Sequence, residues 1–279
     1  MTVRVAVCQL APVVGDPERN LDLALAAVSA AADRGARLVV LPELVTSGYV
    51  FADEAEARAT AQAQDGPAVT ALARAARDRG LVVCFGFAEL DADGLLRNSA
   101  ALVDADGLRA VYRKAHLWDR EKEIFIPGDD PPPVVETELG RVGLVICYDL
   151  EFPEWLRLAA LRGAQIVCAP TNWPAEPRPP GERPIEVVRA QASASVNRIF
   201  LAVADRAGTE RGVEWVSGSA IIGHDGFPLS EAEPGGREQI LLADCALAEA
   251  ADKRISPRND VLADRRPHLY GGVTQPPQL

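Results

Sequence analysis

A cysteine, a glutamate and a lysine each close an apolar run in this sequence, and together their side chains could perform acyl chemistry. Cys147 follows VGLVI, and DLEFPE after it opens a helix with Pro153 at an early position and Glu154 in the first turn, which makes a strand–turn–helix elbow. A thiol at such an elbow is held at the rim of a sheet, where backbone N–H groups of the turn can point at a developing oxyanion on an acyl group. Sulfur attacks well only as thiolate, so it needs a base and a nearby positive charge. Glu43, in VVLPELVTSGY, follows a second apolar run, at a place where a carboxylate is costly to bury unless paired. Lys114, in VYRKAHLWDREKEIFIPGD, ends a third. Taken singly, Cys147 reads as one more small buried hydrophobe, Glu43 as the first exposed residue past a strand and Lys114 as a surface lysine. Three such residues at three strand ends are better explained as one site.

The elements that must position them alternate along the chain. VRVAVCQ reads as a strand, and DPERNLDLALAAVSAAADRG as a helix with Asp16 as N-cap, Pro17 in its first turn and Gly35 as its stop. RLVVLPE is the next strand, a helix runs from about Pro67 to Arg79, and LVVCFGF follows. RNSAALVDADG and LRAVYRK pair around a turn at Asp106-Gly107. RVGLVICYD, AQIVCAP and IFLAVAD are further strands, separated by helices in FPEWLRLAALRG and PIEVVRAQASASVN, and SGSAIIG and REQILLAD are later ones. Short β-rich runs alternating with Ala-rich amphipathic segments predict an α/β layered domain. RGARLVVLPE (34 to 43) and RGAQIVCAPT (162 to 171) echo each other weakly, which suits two sheets with helices outside. A single domain over 1–279 is expected, with a polar, Pro-containing arm from about Asp252.

Composition narrows the classes. The 279 residues are 48% hydrophobic and 25% charged, with no apolar run long enough to span a bilayer and no export signal in MTVRVAVCQLAP, so a cytoplasmic protein is expected. A net charge of −11 with dispersed basic residues argues against nucleic acid as a partner. The five cysteines are odd in number and widely spaced, which fits reduced thiols rather than a disulfide framework. His116, His224 and His268 are far apart and no Cys-x-x-Cys or His-x-x-x-His pairing offers a metal site. His224-Asp225 beside Ser217 and Ser219 reads as a hairpin turn rather than part of a serine triad, because neither serine sits on a nucleophile elbow.

LPELVTSGY, YRKAHLWDREKEIFIPGD and CYDLEFPEWLRLAALRGAQIVCAPTNW resemble, in order and over nearly the full chain, the three regions around the Glu, Lys and Cys of the nitrilase superfamily, the carbon–nitrogen hydrolases. That resemblance implies a four-layer αββα sandwich of two mixed sheets flanked by helices. It implies Glu43 as general base, Lys114 as the transition-state-stabilising lysine, Cys147 as nucleophile, and Glu121, with Glu123 as its nearest rival, as the second glutamate that positions the lysine. It also implies no metal or organic cofactor, a small-molecule amide or nitrile as substrate, and a homodimer built through helices, with NDVLADRRPHLY crossing to the partner.

In those roles Glu43 takes the thiol proton and the oxyanion sits between Lys114 and the backbone N–H of Tyr148. Tyr49, Trp118, Asn172 and Trp173 lie just past the strand ends, where loops line a pocket, and are expected to bind substrate, with rim packing as the even alternative. The two tryptophans would favour a small or aromatic acyl group over a charged one, and the loop PTNWPAEPRPPGERP would narrow access. The leading expectation is an amidase that cleaves a non-peptide C–N bond through a thioester. A nitrilase and an N-carbamoyl amide hydrolase use the same thiol, and a non-catalytic binding protein on the same fold is opposed by retention of all four candidate residues.

Overall fold

A computed structural model describes residues 2–233 and 236–275. The first half of the chain runs β1 (Val3–Gln9), α1 (Pro17–Asp33), β2 (Leu38–Val40), α2 (Glu54–Thr60), α3 (Pro67–Arg79), β3 (Val82–Leu90), β4 (Leu96–Asp104), β5 (Gly107–Arg113) and α4 (Glu121–Ile124). The second continues with β6 (Val134–Thr137), β7 (Gly140–Leu144), a 3₁₀ turn at Cys147–Glu151, α5 (Pro153–Leu161), β8 (Ile166–Pro170), α6 (Ile185–Asn197) and β9 (Phe200–Ala204). A two-strand ribbon, β10 (Thr209–Glu210) and β11 (Val213–Glu214), precedes β12 (Ala220–Ile222), β13 (Pro228–Glu231) and β14 (Gln239–Cys245), and β15 (Arg254–Ser256) and β16 (Asn259–Asp260) form a last ribbon.

Two six-stranded sheets result, in the orders β14-β1-β2-β3-β4-β5 and β6-β7-β8-β9-β12-β13. Read in those orders the pairings are the same in both: antiparallel, parallel, parallel, antiparallel, antiparallel. The echo between residues 34–43 and 162–171 is part of this duplication. Gly35 and Gly163 both adopt left-handed φ (83° and 87°) just after α1 and α5, and each releases the chain into a parallel strand, β2 or β8.

Period-two burial shows how the layers stack. Val3, Val5 and Val7 of β1 face the second sheet, whereas Ala6 and Cys8 face α1 and α3 on the outside. β2 repeats the pattern, with Leu38 and Val40 inward and Val39 outward. Strands covered on both faces read as continuous apolar runs rather than alternating ones, as the sequence has them. On the far side, Leu156 and Ala159 of α5 and Val187, Ala190 and Ala194 of α6 pack against the outer face of the second sheet. The architecture is a four-layer αββα sandwich.

Two boundaries next to the site differ from the sequence expectation in a way that matters for it. The strand expected through RVGLVICYD ends at Leu144: Val145 N–H still bonds Cys168 O, but Ile146 N–H turns to the carboxylate of Asp149, and Cys147 opens the 3₁₀ turn. Likewise β2 ends at Val40, and residues 41–48 form a buried loop that carries Glu43. From about Asp252 the chain is mostly exposed; it is anchored by Lys253, whose Nζ donates to Asn197 O (3.2 Å) and Arg198 O (2.8 Å) at the C-terminus of α6.

Candidate active site

Glu43 is brought into the centre by close contact with β3. Gly86 N–H bonds Pro42 O (3.1 Å) and Val45 N–H bonds Gly86 O (3.0 Å). A Cβ on Gly86 would come within 2.4 Å of Leu44 N and 2.6 Å of the Glu43 Cα, so only glycine admits this approach. The sequence reading did not single out Gly86; a glycine interrupting the apolar run VVCFGF was the signal for such a close approach.

Lys114 lies just past β5, and Gly128 N–H to its carbonyl (2.9 Å) and its own N–H to Asn98 O (2.8 Å) fix its backbone. Its ammonium donates at 2.7 Å to Oε1 of Glu43 and at 2.7 Å to Oε1 of Glu121, with all three side chains buried. Glu121 starts α4, and its Oε2 accepts the Trp118 N–H (3.1 Å). Glu123, its rival in the sequence, points outward and pairs with Arg120. Burial alone would drive the proton off Lys114, but Glu121 and Glu43 outweigh it and hold the lysine above its ordinary pKa.

The same burial pushes Glu43 up to about 7, against the pull of Lys114. Its two oxygens differ: Oε1 accepts from Lys114 and from Asn98 Nδ2 (2.7 Å), while Oε2 is buried without a partner. A carboxylate with one oxygen fixed and the other bare is placed to take a proton.

Cys147 is 5% exposed and has φ of 46°, a left-handed conformation that costs a non-glycine residue on the order of 1 kcal/mol or more and persists only when its surroundings enforce it. Its Sγ lies 3.8 Å from Asn172 O. Burial and then the charge of Glu43 raise the thiol well above its usual pKa, with Lys114 pulling the other way, so the resting group is S–H.

The remaining sequence candidates have separate places. Asn172 is not among the residues lining the cavity at Cys147, and its side chain donates to Glu43 O (2.9 Å). Tyr49, singled out for substrate contact, has its hydroxyl on Oε1 of Glu121 (2.5 Å) and its ring edge against Trp215. Burial, then the charges of Glu121 and Glu43, raise its pKa. Trp118, Tyr148, Trp173 and Pro174 wall a cavity of about 250 Å³ that opens on Cys147, together with Glu151, Glu176, Glu186 and Arg189. The sequence reading did not identify those carboxylates. A second cavity of about 280 Å³ shares Trp118, Pro174 and Glu176 with it and reaches Tyr49, Glu121 and Trp215. Asp205, also missed, accepts the Trp173 N–H (3.0 Å) and the Gly218 N–H (2.8 Å), which fixes the tryptophan wall. Among the described residues, no group of three or more His, Cys, Asp or Glu side chains is arranged to hold a metal ion.

Known proteins give this geometry a context. A "Nitrilase" of Pyrococcus abyssi is 37% identical over 96% of this chain and 99% of its own length. An "(R)-stereoselective amidase" of Pseudomonas sp. is 34% identical over 99% of this chain and 96% of its own. Among solved structures, a glutamate-to-glutamine mutant of the amidase from Nesterenkonia sp. AN1 superimposes with a TM-score of 0.79 at 32% identity, covering 96% of this chain and 95% of that one. It carries the acetamide moiety of fluoroacetamide covalently on its active-site cysteine. A family model described as "Carbon-nitrogen hydrolase" matches residues 4–255. A buried acid, ammonium and thiol on a shared αββα frame thus coincide with a match along nearly the whole chain, and the protein belongs to the carbon-nitrogen hydrolases, which act on C–N bonds other than peptide bonds.

Proposed function

We propose that the protein is an amidase of small molecules in which Cys147 is the nucleophile, Glu43 the general base, Lys114 the oxyanion-stabilising cation and Glu121 the residue that holds Lys114. The observation that carries this reading is the asymmetry of Glu43, whose Oε1 is tied to Lys114 and Asn98 while its buried Oε2 has no partner.

The steps follow from the charges. Glu43 takes the proton as Sγ attacks the amide carbon, so a C–S bond forms while the carbonyl becomes an oxyanion. That oxyanion is met by the Lys114 ammonium and by the N–H of Tyr148, in the first turn after Cys147; a donor of this kind lowers the barrier by about 3 kcal/mol. Glu43 returns its proton to the nitrogen, and the C–N bond breaks to release ammonia or an amine. Water, activated by the same carboxylate, then hydrolyses the thioester to a carboxylic acid and restores the thiol.

The test is ammonia or amine release from a panel of small amides, nitriles and N-carbamoyl compounds by wild-type protein and Cys147→Ala. The reading expects amides to be the best substrates and the variant to be inactive yet folded. Turnover of nitriles alone, or activity retained in Cys147→Ala, overturns it.

One catalytic unit over 1–279, with its arm from about 252, is further proposed to work in the cytoplasm as a homodimer. Exposed apolar side chains on α5 (Leu158, Leu161), on α6 (Ile185, Val188) and in the arm (Leu269, Val273) support a helix-mediated pairing. Light scattering after size exclusion checks this: a mass near twice 29.8 kDa is expected, and a clean monomer contradicts it.

A further inference from the structure

One buried carboxylate that the reaction does not use joins the two sides of the site. Asp149 is fully buried, two residues beyond Cys147 in the 3₁₀ turn. Its Oδ2 accepts the Ile146 N–H (2.9 Å) and the Tyr112 hydroxyl (2.7 Å). Its Oδ1 accepts the His116 N–H (3.2 Å) and lies 2.7 Å from His116 Nδ1. The Tyr112 oxygen accepts in turn from Trp155 Nε1 (2.8 Å) and from Ala115 N–H (3.3 Å). Residues on either side of Lys114 are therefore fastened to a single group, and that group also holds the residue just before Cys147.

We infer that Asp149 is a positioning residue that fixes the spacing between the Lys114 ammonium and the Cys147 sulfur, by clamping segment 112–116 of the first sheet to the elbow of the second. Two features of the site require such a clamp. Cys147 holds a left-handed φ of 46°, which relaxes unless its neighbours enforce it. Lys114 is carried on a flexible stem whose root must not move if its ammonium is to meet an oxyanion rather than a ground-state carbonyl. His116 lies flat on Phe152 at 3.7 Å, so its ring and the far end of the turn shift together.

The clamp acts on geometry and touches neither substrate nor sulfur, so its loss should lower kcat more than it raises KM. In Asp149→Asn the shape is kept, but a carboxylate that faces only donors becomes an amide whose own N–H groups must face some of them, so at least one bond to Ile146, Tyr112 or His116 is lost. The expected fall in kcat is about 100-fold with KM changed about threefold or less, the size of effect a misplacement near 1 Å produces. Tyr112→Phe keeps the ring, removes one donor to Oδ2 and is expected to cost about tenfold in kcat by the same argument.

This inference rests on the proposed roles of Lys114 and Cys147, and the experiment separates the two. Steady-state amide hydrolysis is measured for wild type, Asp149→Asn, Tyr112→Phe and Cys147→Ala, with Leu72→Ala on the buried face of α3 as a control that lowers thermal stability outside the site. Support is a kcat loss in Asp149→Asn and Tyr112→Phe that exceeds any loss in the equally destabilised control. If Asp149→Asn does not fold, Tyr112→Phe alone decides. Wild-type kcat in Tyr112→Phe, or losses matched by Leu72→Ala, overturns the clamp even when Cys147→Ala is dead. Activity in Cys147→Ala overturns the proposed function itself.

Discussion

The two sheets share one pairing pattern and divide the chemistry unequally. The first half of the chain contributes the buried ion-pair cluster: Glu43 from the loop after β2, Lys114 after β5, and Glu121 at the start of α4. The second contributes a neutral thiol on a strained elbow after β7 and a backbone carbonyl, Asn172 O, after β8. Buried charges are tolerable only where each has a partner, and the first sheet supplies these partners within itself: Asn98, Tyr49 and the three charged groups. The thiol needs no partner at rest, because burial keeps it protonated. The difference teaches that the charged cluster keeps its ion pairs within the first sheet while Asp149 and Asn172 of the second hold it in place, and in the proposed mechanism the reaction begins when a proton crosses from the second sheet to the first.

Removing the acceptor of that proton should have the largest effect. Glu43→Gln keeps the hydrogen bonds of Oε1 and removes the base, so kcat should fall about 10²- to 10⁴-fold while the fold survives, as read by amide turnover and circular dichroism. In wild type, kcat/KM should rise with pH through a limb near 7, the value to which burial lifts Glu43, and then hold on the alkaline side, where both Lys114 and Cys147 keep their protons. Stability moves the other way. A carboxyl raised from 4.5 to about 7 contributes stability that is full below 4.5 and lost as pH rises through 7, so Glu43→Gln should flatten that decline in a thermal melt.

Next in size is the frame that places Glu43. Gly86→Ala puts a methyl group 2.4 Å from Leu44 N, where backbone must yield, and overpacking of this kind costs about 1–3 kcal/mol. Both the melting temperature and kcat should drop, whereas alanine at the open turn glycine Gly94 should leave kcat unchanged. Equal activity in the two variants would show that β3 does not set the position of the carboxylate.

Smallest is the contribution of the mouth. Glu151 pairs with Arg189 at 2.6 Å, which leaves Glu176 and Glu186 unbalanced beside the cavity at Cys147. Acidic amides should be disfavoured against neutral ones of the same size, and Glu186→Gln should narrow that gap by a few-fold at low salt and less at high salt, roughly as screening over a Debye length of about 8 Å at physiological ionic strength requires. A gap that does not change with charge or salt would assign selectivity to the walls of Trp118 and Trp173 alone.

Much of this organisation was legible in the sequence. The helix Pro67–Arg79 and the hairpin of β4 and β5 lie where caps and turn residues put them, because local chemistry decides those boundaries. Glu43, Lys114 and Cys147 were legible as residues at the ends of apolar runs, and Glu121 only through the resemblance to the family. The strand limits near the site were not: after β2 the chain becomes a loop bonded to Gly86 of β3, and β7 stops where Ile146 N–H turns to Asp149, contacts made between residues far apart in sequence or by a side chain bonding back to its own turn. Asp149 and Asp205 were invisible for the same reason, since nothing local distinguishes an aspartate that organises a buried turn from one that faces water. Tyr49 was legible as a pocket residue and does line the second cavity, but only the fold shows its hydroxyl on Glu121.

Alkylation by chloroacetamide, followed by peptide mapping and timed in wild type and Glu43→Gln, tests the division between the two sheets most directly. All five cysteines are buried, but Cys147 alone of them lines the cavity beside the charged cluster. A single adduct on Cys147 is expected, forming at least about tenfold more slowly without the carboxylate that removes the thiol proton. An equal rate in both proteins, or adducts spread over Cys8, Cys84, Cys168 and Cys245, would contradict a proton transfer from the thiol of one sheet to the acid of the other.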